Sequence, residues 1–394
     1  MRKIQADYVF PIHSKPIANA IVVVSEKGKI LEVAPAQTYS DTEKYEGFLC
    51  PNFINTHCHL ELSYLKNAIP SGTGLVNFIK SIIKIRNDFA AETMATAIAA
   101  AEKEMLQNGI AAVGDISNDT TSFAQKAKGN LRYHTFIELL EIKNKEAETA
   151  IKNGKAILAK VPSAAKSTAS LSPHAPYTVS GSLLEKISTF NKSKKNGIVT
   201  IHNQECAAEN EFFQTGKGDF YDFYKNAGFD IAQYFRPTKT NSLNYTLKHL
   251  VKKNKLLLVH NTFSTTKDIQ LAHDYSKNVY WCFCPNANLY IENRLPNFDI
   301  FIKENAKITI GTDSLTSNWQ LCILSELKTI SKAAPHILLT DLLRWATLNG
   351  AELLGFEEDL GSLEVGKQAG INLIENINLE NMSLTTNSRV RRLI

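Results

Sequence analysis

The sequence predicts an α/β chain: a (β/α)8 TIM barrel with a small β-sandwich domain formed by the N- and C-terminal segments. Three observations lead there. Eight short, apolar, strand-like runs alternate with helical stretches over about 260 residues, close to the ~250 that such a barrel needs. The first run, PNFINTHCHLEL, contains no glycine, so the phosphate loop of an open doubly wound sheet is missing. The two chain ends alternate strand-like segments with turns.

The N-terminal segment carries alternating apolar positions in DYVF and ANAIVVVSEKGKILEVAP, with a turn at Lys27 and Gly28. LGSLEVGKQAGINLIE near the other end repeats that style. Neither end has a core of its own, so 1–47 and 355–394 are expected to pair into one domain beside a barrel spanning 48–354. The expected barrel strands are Phe48–His59, Ile110–Ile116, Tyr133–Leu139, Ser170–His174, Gly197–Asn203, Leu256–Asn261, Val279–Pro285 and Lys307–Thr312. Amphipathic or alanine-rich stretches lie between them: Leu75–Arg86, Glu92–Gln107, Glu146–Lys160, Gly181–Lys194, Leu243–Lys253, Thr266–Ser276 and Gln320–Lys332. Alternation of this kind implies parallel strands joined by right-handed crossovers.

Composition narrows the partners. The chain has 394 residues, of which 44% are hydrophobic and 21% charged, and its apolar runs fall far short of the ~20 residues of a membrane span. Gln5, Ala6 and Asp7 stand where a signal peptide would be apolar, so a cytoplasmic location and no membrane partner are expected. The net charge is +5, but the lysines are scattered without interleaved aromatics, which argues against nucleic acid. Six cysteines lack the spacing of a zinc ribbon or a disulfide framework and read as reduced, buried thiols.

Five of the ten histidines, His57, His59, His174, His202 and His260, fall at the C-terminal ends of predicted strands, where barrel active sites are built. His57 and His59 are i and i+2, so both rings leave one face of their strand. His202 and Asp313 close β-branched runs in the same way. Three nitrogens and one carboxylate suit zinc or ferrous iron and leave room for water. Glu205, three residues after His202, can reach such a water without being a ligand. His13, His134, His249, His273 and His336 have no such placement and read as surface or packing residues.

Taken in order, PNFINTHCHLELS, SPHAPYTVS, IHNQE, LVHNTF and IGTDSLTSN resemble the amidohydrolase superfamily. The resemblance is to its mononuclear, metal-dependent aminohydrolase branch, which includes adenosine/S-adenosylhomocysteine deaminases and chlorohydrolases. HLELS followed by GTGLVNFIKSIIKIR is also similar to aminodeoxyfutalosine deaminases. The resemblance implies one divalent ion, Zn2+ ahead of Fe2+, on His57, His59, His202 and Asp313. It also implies that Glu205 shuttles protons, His260 polarises the water and His174 contacts substrate. Binuclear members carry a carboxylated lysine on the fourth strand; here Lys166 stands at the wrong end of it. Gly370, where relatives usually have Asp, and Asn261, where many have Cys, are departures.

The expected reaction is hydrolytic deamination of an amino-substituted nitrogen heterocycle, a purine nucleoside or aminodeoxyfutalosine-like compound. Metal-bound hydroxide would attack, Asp313 would help take the water's proton, and ammonia would leave. Glu61, Ser63, Tyr177 and Asn318 are candidate substrate contacts, and Arg86, Arg236 and Arg294 could meet a carboxylate. The alternatives are an amidohydrolase or chlorohydrolase cleaving another C–N or C–Cl bond, of triazine, cytosine or guanine type, and, more remotely, a non-catalytic metal-binding scaffold. A homodimer is expected by analogy alone.

Overall fold

Pro51 splits the first expected strand in two. In the computed structural model, which describes residues 1–36, 39–194 and 197–394, the N-terminal segment forms β1 (Arg2–Val9), β2 (Ile17–Val24), β3 (Ile30–Pro35) and β4 (Glu43–Lys44). β5 (Phe48–Cys50) and β6 (Phe53–Cys58) then flank Pro51, which has no N–H to offer a ladder. β5 pairs with β1, so the terminal sheet reaches residue 50, beyond the expected boundary at 47.

Seven parallel-sheet strands follow β6: β7 (Ile110–Ser117), β8 (Arg132–Leu139), β9 (Thr168–Pro173), β10 (Ile198–Asn203), β11 (Lys255–His260), β12 (Val279–Phe283) and β13 (Lys307–Ile310). They form two four-stranded parallel sheets, β6-β7-β8-β9 and β10-β11-β12-β13. Hydrogen bonds link the two sheets on both sides. His202 N–H donates to His174 O at 3.0 Å, and Thr312 and Asp313 N–H both donate to His57 O at 3.0 Å. The strands are buried along nearly their whole lengths, as expected of parallel strands covered on both faces.

Seven helices answer to the expected ones: Leu75–Ile85, Ala91–Gln107, Ala147–Leu158, Gly181–Lys192, Ser242–His249, Thr266–Tyr275 and Ile323–Ala333. Local chemistry starts several of them. Ser180 Oγ accepts from Leu183 N–H, Asn241 Oδ1 from Asn244 N–H, and Thr265 with Asp268 makes a reciprocal capping box. Their apolar faces pack on the strands; Ile98 and Met105, for example, join Val113 and Tyr133 in the main core. Among the described residues no helix is long and apolar enough to cross a membrane.

The end segments pair differently from the expected sandwich. β14 (Asn372–Glu375) and β15 (Arg389–Arg392) join β1 to β5 in one seven-stranded sheet. One face of that sheet, with Ile4, Val22, Val24 and Leu49, is covered by Leu363, Ala369 and Ile371. These come from a stretch with no assigned strand, interrupted by Gly361 and Gly370 at φ +88° and +68°. Left-handed backbone of that kind breaks a strand, so a loop takes the place of a second sheet.

Candidate active site

Strand β6 delivers two imidazoles to one point. His57 is fully buried within the strand and His59 follows its end, both on the same face. His59 Nε2 lies 3.2 Å from His57 Nε2 and 3.3 Å from His202 Nε2, at the far side of the strand array. Asp313 Oδ1 lies 3.4 Å from His59 Nε2 and 3.6 Å from His57 Nε2. Four residues from three strand ends thus converge.

This donor set fits a metal ion. Four tetrahedral ligands at ~2.0–2.2 Å from a centre stand about 3.3 Å from one another, close to the spacings found. His202 Nδ1 is 2.7 Å from the His174 carbonyl, which can only accept, so Nδ1 carries the proton and the Nε2 lone pair faces inward. Burial pushes His59 down to about 3 and His202 well below the usual imidazole range, leaving both rings in the neutral, ligating form. Burial opposes the Asp313 carboxylate, but its contacts with the His57, His59 and His260 imidazoles outweigh it and hold its pKa well below the ordinary value. Its other oxygen, Oδ2, accepts from Ser317 Oγ at 2.7 Å.

The backbone bends sharply where these side chains emerge. His260, Asn261 and Asp313 have φ of 73°, 58° and 57°, and Gln204 has 47°. Left-handed conformations at non-glycine residues cost on the order of 1–3 kcal/mol each and persist only where neighbours over-determine them. Asn261 supplies part of that restraint: its Nδ2 donates to Leu258 O and Cys282 O, and its Oδ1 accepts from Asn203 Nδ2.

Glu205 Oε1 stands 3.6 Å from His260 Nε2. Burial, reinforced by the charges of Asp313 and Glu209, pushes the Glu205 carboxyl well up, favouring its protonated form. Its turn is clamped by Glu209, whose two oxygens accept from Gln204 N–H at 2.9 Å and Glu205 N–H at 3.1 Å. His260 Nδ1 meets Asn288 Oδ1 at 2.9 Å, and burial pushes that imidazole down to about 4. Glu209 and Asn288 escape a reading of the sequence; their signal is only that of polar residues in the first turns of helices after strand ends, a common surface pattern.

A cavity of about 670 Å³ opens over these groups. Its floor holds His59, His174, His202, Glu205, His260 and Asp313, and its outer walls are apolar: Phe78, Ile79 and Ile82 on one helix, Phe220, Phe223 and Phe229 opposite. Tyr177 and Arg86 also line it, and Tyr177 stacks on Phe220 with ring centroids 4.0 Å apart. Other sequence candidates stand outside its wall. Glu61 accepts the Asn118 N–H with both oxygens, Ser63 Oγ donates to Leu60 O, and the buried Asn318 amide donates to Thr312 O and Glu326. Arg236 bonds the Ala232 carbonyl, and Arg294 lies 4.4 Å over the Phe263 ring. All five satisfy local partners instead of facing the cavity.

An α/β fold whose polar residues gather at the C-terminal ends of parallel strands, over a deep cavity, has the layout of an enzyme site. The sequence matches the amidohydrolase family over residues 48–392, and the chain belongs to that family, hydrolases acting on carbon–nitrogen bonds. It is 27% identical, over 83% of its length and 78% of the relative's, to an aminodeoxyfutalosine deaminase of a Nitratiruptor species. Its fold is similar to that of Helicobacter pylori aminofutalosine deaminase in complex with methylthio-coformycin, with TM-score 0.78 and 22% identity over 98% of this chain and 94% of the other. An adenosine deaminase from Xanthomonas campestris with bound zinc superposes with TM-score 0.76 at 24% identity, covering 97% and 86%.

Proposed function

We propose that this protein is a metal-dependent deaminase of an amino-substituted purine nucleoside, and that its eight parallel strands form one closed barrel with the terminal sheet as a separate small domain. The observation that carries the reading is the convergence of His57, His59, His202 and Asp313 at 3.2–3.6 Å beside the Glu205–His260 pair. The deaminase relative and the zinc-bound neighbour support it.

In this reading those four residues hold a single zinc ion. Such an ion supplies Lewis acidity, which activates water for addition. Glu205, whose hold on a proton burial strengthens, donates to the ring nitrogen next to the amino-bearing carbon. His260, with Nδ1–H held by Asn288, keeps Nε2 as a bare acceptor to orient the attacking oxygen. Asp313 takes up the proton released on addition and returns it to the amino group, which leaves as ammonia, while the hydroxyl proton of the adduct passes to Glu205 and restores it as the ring regains its conjugation. His174 and Tyr177 hold the substrate, while the apolar outer walls accept a bulky apolar substituent remote from the amino group.

The test is ammonia release from a panel of aminopurine nucleosides, with free pyrimidines and triazines as comparators, using zinc-loaded protein. The reading expects nucleosides bearing apolar 5′ substituents to lead. Turnover confined to triazines or simple amides would overturn it.

A further inference from the structure

Glu138 is a buried carboxyl that the proposed reaction leaves unused. It closes β8, is 5% exposed and lines the cavity. Its Oε2 accepts from Asn118 Nδ2 at 2.9 Å, while the Asn118 backbone N–H is gripped by both oxygens of Glu61 at 3.1 and 3.0 Å. The chain Glu61–Asn118–Glu138 therefore fixes the carboxyl in place. Yet Oε1 has no hydrogen-bond partner among the described residues. His202 Nδ1 lies 3.9 Å from it and already donates to the His174 carbonyl.

A buried acceptor without a donor is costly and rare, so such a group at a cavity wall marks the place of a ligand atom. A second metal ion does not fit the place. Glu138, His174 and His202 bring ligand atoms within 4.8 Å of one another, but the His202 nitrogen on this side carries a committed proton and the other faces the first site. A cationic substrate group is disfavoured by Arg86 on the same cavity wall, and a carboxylate by Glu138 itself. A neutral donor remains. Glu205, just after β10, and His260, at the end of β11, take the reacting ring, whereas Glu138 stands on β8, with β9 between it and β10, which leaves it the sugar as the part of the substrate to meet.

We propose that Glu138 determines specificity by accepting a hydrogen bond from a sugar hydroxyl of the substrate through Oε1. The inference rests on the nucleoside deaminase reading. In Glu138→Gln, Asn118 Nδ2 still needs an acceptor and retains the amide oxygen, so the amide NH2 turns into the cavity as a donor. Glu138→Leu removes the polar group altogether.

The experiment measures kcat/KM for adenosine, 2′-deoxyadenosine and 3′-deoxyadenosine with wild type, Glu138→Gln and Glu138→Leu, with zinc content as a control. Losing the hydrogen bond altogether predicts a fall of about 10- to 100-fold for adenosine in Glu138→Leu, and a smaller fall in Glu138→Gln, whose amide NH2 the hydroxyl can still meet as an acceptor. For at least one deoxy analogue the fall should shrink to less than about threefold, because the hydroxyl is already missing. Equal losses on all three substrates, or no loss on any, would overturn the inference while leaving the deaminase reading in place. No ammonia from any of the three with wild type would overturn the nucleoside reading and this inference with it.

Discussion

His260 and Asn288 face each other across 2.9 Å, ring nitrogen to amide oxygen, both buried at the rim of the strand array. The contact selects the tautomer with hydrogen on Nδ1 and leaves Nε2 bare toward Glu205. Asn288→Ala should therefore lower kcat by about 10- to 100-fold through misorientation, with zinc content and KM little changed. Steady-state kinetics beside metal analysis checks this; a pure KM effect would assign Asn288 to substrate binding instead.

Glu205→Gln keeps the shape of the side chain but cannot exchange a proton. Single-turnover rates should fall by about 10²- to 10⁴-fold with full metal occupancy. Near-normal turnover would remove Glu205 from the proton path.

Metal removal is expected to abolish activity and lower the melting temperature together, because the inward-facing atoms of His57, His59, His202 and Asp313 lie buried at 3.2–3.6 Å from one another, around one centre. Dialysis against a chelator followed by zinc should restore both. Elemental analysis of His202→Ala should then find well under one ion per chain; stoichiometric zinc in that variant would exclude His202 as a ligand.

Gly311 follows β13 directly beneath the site. An added Cβ would lie 2.8 Å from His57 Cβ and 2.9 Å from Cys282 Sγ. Gly311→Ala should destabilise the protein by about 1–3 kcal/mol through overpacking and weaken zinc retention by displacing His57. Denaturant unfolding of holo and chelated protein separates the two effects.

Glu326 is buried, accepts from Asn286 N–H and Asn318 Nδ2, and is pushed up to about 8, chiefly by burial. Its folded-state pKa thus exceeds the ~4.3 of an unfolded glutamate, and between the two values the native state binds the extra proton. That contribution to stability is complete below pH ~4.3 and is lost as pH rises through about 8. Unfolding free energies should fall over this window, and Glu326→Gln should flatten the slope; an unchanged slope would show that other carboxyls dominate.

Much of this arrangement is legible in the sequence because strand ends announce themselves chemically. VTIHNQE and ITIGTDS each bury a β-branched run and leave a polar residue at the tip, and the structure brings His202 and Asp313 to His57 and His59 as expected. The helix Asp219–Asn226, which supplies Phe220 and Phe223 to the cavity, is hidden because Gly216 and Gly218 before it read as loop. Glu61 and Asn318 illustrate the converse: both sit within motif segments, yet they turn to backbone and carboxylate partners that no spacing rule reveals. The terminal segments read as strands, but whether they stack or lie side by side depends on long-range pairing between residues such as Leu49 and Leu373.

The His57 carbonyl receives the N–H groups of Thr312 and Asp313, some 250 residues further along. Strand joinery and the proposed ion site therefore share one hinge point, and a partly synthesised or half-collapsed chain has only fragments of that donor set. With the proposed ion held there, its acquisition would be a late event in maturation, a checkpoint that reports whether the two extremities of the strand array have found each other.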